Sequence, residues 1–110
     1  MKVAVVCTTV PSLEVASRVA DALVESRLAA CVQRIGPIRS TYRWNGALTR
    51  DEEYQLVIKT TLACIPSLVA HLVSLHPYEV PEVLVLDATA AHLPYALWLE
   101  SCAPPPADAT

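Results

Sequence analysis

The chain reads as an α+β protein, a ferredoxin-like βαββαβ sandwich with one long β-hairpin and a short C-terminal helix. Three observations predict this. Hydrophobic periodicity switches along the chain between continuous β-branched runs, the 3.6-residue spacing of a helix and the two-residue alternation of a half-buried strand. An Asn-Gly pair, Asn45 and Gly46, separates two alternating segments, and both residues accept the positive φ of a type I′ hairpin turn. The resulting order of strand, helix, strand, strand, helix, strand is that of the split βαβ motif.

The first strand is "KVAVVCTT", a β-branched apolar run suited to burial on both faces and ended by Pro11. After Ser12, the residues Leu13, Ala16, Ala20, Leu23 and Val24 recur at helical spacing with charges on the other side, which predicts a helix with one buried face. "IRSTYRW" and "EEYQLVIKT" form the hairpin strands. Gly36-Pro37 falls inside the first of them and predicts a bend or bulge on an edge strand, because proline lacks an N–H and glycine bends freely. In the second, Tyr54, Leu56, Ile58 and Thr60 share one face. Pro66 opens a second helix with Ile65, Leu68, Val69, Leu72 and Val73 on one stripe, and Pro77 pushes His76 out of the helical region. "VLVLDA" reads as a last buried strand and "HLPYALWLE" as the final helix. Residues 1–102 make a single domain, and the proline-rich 103–110 is expected to be a disordered tail.

In this topology the first strand lies between the third and the fourth. The connector "LHPYEVPE", Leu75 to Glu82, therefore meets the end of the first strand near Cys7.

Composition bounds the function. With 110 residues the chain is one domain. The net charge of −3 and the lack of any Lys/Arg cluster argue against nucleic acid as a partner. A hydrophobic fraction of 54% is high, yet no run is long enough to span a membrane, so the surplus points to a sizeable subunit interface. The start has no complete secretory segment, and the four cysteines Cys7, Cys31, Cys64 and Cys102 stand singly, so a cytoplasmic chain with reduced thiols is expected. Cys31, Cys64 and Cys102 read as small buried hydrophobes. No nucleophile with a base nearby, phosphate loop or His-Glu-x-x-His spacing occurs, so no enzyme activity is expected.

"VVCTTVP", "RLAACV", "YRWNG", "LVIKT", "LHPYEVPEVL" and "YALWL" follow one another in the order and spacing seen in the CutA family, from Val3 to about Glu100. The sequence resembles that family closely. The resemblance implies a ferredoxin-like subunit in a compact homotrimer, associated with tolerance to divalent metals. Copper binding is attributed to some members, and the trimer is similar to that of PII signalling proteins. In the bacterial copper proposal a cysteine of the first strand and two adjacent histidines act together. Here Cys7 and His76 match two of the three, and Leu75 replaces the other histidine.

A thiolate with an imidazole begins a soft copper site, which Glu79, Tyr78 or a neighbouring subunit would have to complete. The alternative readings are a Cys7 that is a strand residue and a His76 that closes the helix by hydrogen bonding. A different class is a PII-like sensor of a small molecule or anion, with Tyr42, Arg43, Glu53 and Lys59 of the hairpin as its contacts, against which stands their reading as solvated or paired surface residues. Trp44, beside the hairpin turn, is costly to expose and is expected at the oligomer interface.

Overall fold

The computed structural model describes residues 2–106. Eight elements follow the predicted order: β1 (Val3–Val10), α1 (Leu13–Glu25), β2 (Cys31–Trp44), β3 (Ala47–Thr61), a 3-10 turn (Leu62–Cys64), α2 (Ile65–Leu75), β4 (Leu84–Asp87) and α3 (Leu93–Cys102). The sheet runs β2-β3-β1-β4 and every pairing is antiparallel.

One face of the sheet carries α1 and α2. Val6 and Val10 of β1 and Leu56 and Ile58 of β3 meet Ala16, Val19 and Leu23 of α1 and Leu68 and Leu72 of α2. A fully buried leucine or valine contributes about 1.5–3 kcal/mol, so this layer supplies most of the subunit's stability. The buried stripe of α1 is shifted from the sequence expectation: Val19 belongs to it with Ala16 and Leu23, whereas Leu13 and Val24 are exposed because they lie round the helix on the flank of that stripe, Val24 about 100° from the fully buried Leu23. Ser12 caps α1 by accepting a hydrogen bond from the Val15 N–H at 3.2 Å.

The opposite face is covered at one end only. There Ala96 and Leu99 of α3 pack on Val3. Ala103 is buried, and its carbonyl accepts from the Thr61 hydroxyl at 3.0 Å, anchoring the start of the expected tail; 107–110 lie outside the described residues. Because the rest of this face is open in the single subunit, β1 is only half buried on it at Val5, Cys7 and Thr9. β4 departs most from expectation: it is four residues long, exposed throughout among the described residues, and lies at the edge of the sheet. Of the cysteines read as buried hydrophobes only Cys64 is fully so; Cys31 and Cys102 are half exposed, near the sheet margin and the chain end. All four thiols are free.

The hairpin closes as its turn dictates. Asn45 has φ 49° and Gly46 φ 78°, and Trp44 pairs with Ala47. The register slips between Ile35 and Ile38, where Gly36-Pro37 forms the bulge. Gly36 has φ 143° and lies so close to β3 that a Cβ would stand 3.0 Å from Tyr54 Cδ1 and 3.1 Å from the Glu53 carbonyl oxygen. Beyond the last β1–β3 pair, Val10 with Tyr54, the two hairpin strands continue alone. This overhang carries the molecule to a length of 44 Å.

Candidate functional site

The α2–β4 connector folds back under that overhang. Pro77 forces His76 into an extended conformation (ψ 132°), which ends α2 and turns the imidazole towards β1. His76 is buried, with Nε2 2.8 Å from the Thr9 carbonyl oxygen. A carbonyl can only accept, so Nε2 carries the proton. Nδ1 in turn accepts the Tyr78 N–H at 3.2 Å. Both ring nitrogens are therefore engaged, and the neutral Nε2–H tautomer is fixed by the backbone on either side. The chain then rejoins the sheet where Leu84 pairs with Cys7.

Tyr78 stacks obliquely on His76, with ring centroids 4.9 Å apart, and extends its hydroxyl to Glu53 Oε2 at 2.7 Å. Burial first, and then the bond to the Glu53 carboxylate, push the Tyr78 phenol well above its ordinary pKa of 10.0. It stays a donor. Glu53 lies one residue past the end of the β1 pairing and is only 7% exposed. Nearer the turn the Tyr42 hydroxyl donates to Asp51 Oδ2. That bond, followed by partial desolvation, raises the Tyr42 pKa as well.

Connector and overhang thus enclose a cleft of about 690 Å³. Its walls include the aromatic rings of Tyr42, Trp44 and Tyr78 and the carboxylates of Asp51, Glu53, Glu79 and Glu82, with Thr9 at the base.

The two sets of residues singled out from the sequence fare differently. Cys7, His76 and Glu79 do not form a ligand set: among the described residues no three His, Cys, Asp or Glu side chains are placed to hold one metal ion. The reasons are local. Cys7 is two residues along β1 from the carbonyl that binds His76, Glu79 belongs to the cleft wall, and His76 has no free lone pair. A copper ion fits this corner of the subunit only if the His76 bonds are broken. Of the hairpin set, Tyr42 and Glu53 line the cleft, but the two cations do not. Arg43 turns to the Gly46 carbonyl oxygen at 3.4 Å. Lys59 donates to Gln33 Oε1 at 2.6 Å, six residues or about 20 Å further along β3.

Thr9, Ser40, Thr41 and Asp51 are wall residues that sequence reasoning missed. Asp51 was within reach of it. A two-residue turn at Asn45-Gly46 sets Ser40 opposite Asp51, which makes Asp51 the diagonal neighbour of Tyr42. The Tyr78 to Glu53 bond spans 25 residues and depends on the path of the connector, for which no local signal exists.

Comparison with known proteins agrees with this architecture. Residues 4–102 match the family of the CutA1 divalent ion tolerance protein. The divalent-cation tolerance protein CutA of Thermus thermophilus is 46% identical over 95 residues, covering 86% of this chain and 92% of that protein. Human protein CutA is 43% identical over 91 residues, covering 83% of this chain and 51% of that longer protein. The crystal structure of CutA from Xylella fastidiosa superposes with a TM-score of 0.91 at 33% identity, covering 94% of this chain and 99% of that one. Matched in sequence and in overall structure along nearly its whole length, the chain belongs to the CutA1 divalent-ion tolerance family.

Proposed function

We propose that the chain acts in divalent-cation tolerance as a cytoplasmic homotrimer without enzymatic turnover, and that it does so by a route other than a copper centre at Cys7, His76 and Glu79. Family membership over residues 4–102 carries the tolerance reading. The open edge strand supports assembly. Leu84, Val85 and Leu86 expose apolar side chains on both faces of β4, and Trp44 and Leu48 do so at the hairpin tip. Such an apolar edge is a template for pairing with another chain. The engagement of both His76 nitrogens is what speaks against copper at the connector.

The test is complementation. Cells lacking their own relative of this chain should lose tolerance to copper or zinc salts and regain it with the parent. A Leu86→Lys variant, tested as a folded monomer, should fail to restore it. Rescue by the monomer would overturn the assembly reading, and no rescue by the parent would overturn the tolerance reading.

A second reading is favoured by one observation, the cleft, whose size lies within the range of small-molecule sites. In this reading the trimer responds to a ligand held between connector and hairpin. An anion is the wrong occupant, since Arg43 and Lys59 do not line the cleft and the charges that do are negative.

A further inference from the structure

The sign and texture of the cleft wall narrow the ligand further. Four carboxylates and three aromatic rings line it, and among the described residues no Lys, Arg or His does. Aromatic faces attract cations through their quadrupole and also shelter an aliphatic body, so rings interleaved with carboxylates form a surface for an organic ammonium ion. An inorganic cation would need a convergent set of oxygens, and among the described residues no such set of three acidic, His or Cys side chains exists.

Glu53 supplies an independent observation. The residue is only 7% exposed, Oε2 accepts from the Tyr78 hydroxyl at 2.7 Å, and the other oxygen has no donor among the described residues and is not sealed from solvent. The other oxygen is left to whatever enters the cleft. That oxygen is open to the cleft, and an ammonium N–H would reach it with a charge-assisted bond.

We propose that the cleft between the hairpin overhang and the connector binds a primary ammonium on an aliphatic body, with the ammonium at Glu53 and the body against Tyr42, Trp44 and Tyr78. Asp51 and Glu79 stand in the same wall to receive a second charge, so a diamine is a better fit than a monoamine. The proposal rests on the second reading above, that the cleft is a ligand site, and is independent of the tolerance reading.

The experiment uses the full chain and three four-carbon probes that differ only in their ends: 1,4-diaminobutane, butane-1,4-diol and succinate. Magnesium chloride serves as the inorganic control. Binding is followed by calorimetry and by the fluorescence of Trp44 against that of Trp98, which lies on α3. The diamine should bind about tenfold or more tightly than the diol, with no uptake of succinate or Mg²⁺. Glu53→Gln, which keeps an acceptor for Tyr78, should erase that preference while leaving the melting temperature near that of the parent. The probe comparison on the parent stands even where the variant folds poorly. Preference for succinate, the diol or Mg²⁺ would overturn the ammonium assignment and leave the cleft as a ligand site. Absence of binding by every probe would overturn both the ammonium assignment and the second reading.

Discussion

His76 holds the connector to the sheet through both ring nitrogens, and this is the residue on which the site is built. Its removal should be felt as stability. His76→Ala loses two hydrogen bonds from a buried position, and a drop of about 1–3 kcal/mol in unfolding free energy is expected by denaturant titration. Tyr78 makes a sharper prediction. Its hydroxyl bonds a buried carboxylate, so Tyr78→Phe should cost about 1.5–3 kcal/mol at neutral pH. The pH dependence follows from the raised phenol pKa. A group whose folded pKa lies above its unfolded value stabilises fully below the unfolded value, here about 10, and less as the pH climbs beyond it. The advantage of the parent over Tyr78→Phe should hold from pH 7 to 9 and shrink above pH 10 in melts of both proteins. A constant difference across that range would show that the hydroxyl bond is not what the variant removes.

Among the elements, the hairpin was the most legible in the sequence, because its turn chemistry and register are local. Asn45-Gly46 sets the pairing of every residue between the turn and the bulge, and Gly36-Pro37 marks where the pairing slips. The two glycines differ in what they tolerate. A Cβ at Gly46 meets nothing within 4 Å, so Gly46→Ala pays only for positive φ, about 1 kcal/mol. A Cβ at Gly36 meets Tyr54 and the Glu53 backbone as well as an unfavourable φ, so Gly36→Ala should be the more destabilising of the two in thermal melts. Equal losses would contradict the close approach of β2 to β3 at the bulge. β4 was less legible. Its apolar run "VLVLDA" is the same signal that marks a buried strand, and only the sheet order reveals that it lies at an edge with both faces open. The cleft was legible by halves: Tyr42 and Glu53 were identified, but Arg43 and Lys59 share their strands without sharing their direction or position.

At the scale of the whole molecule, exposed apolar side chains on β4 and at the hairpin tip leave a subunit with surface to bury. Equilibrium sedimentation should give the mass of three subunits for the parent and of one for Leu86→Lys, since Leu86 is exposed in the subunit and its charge would be buried only on assembly. A monomeric parent would contradict the assembly. The sequence places Cys7 and His76 near one corner, but the folded chain gives both imidazole nitrogens to the backbone, which leaves copper no imidazole ligand there. An anaerobic Cu(I) titration of the reduced protein against a competing chelator, comparing the parent with Cys7→Ser and His76→Ala, tests it directly. Neither substitution should change copper affinity. Tight binding at a fixed ratio per subunit, lost in both variants, would contradict it and make the connector corner a copper site.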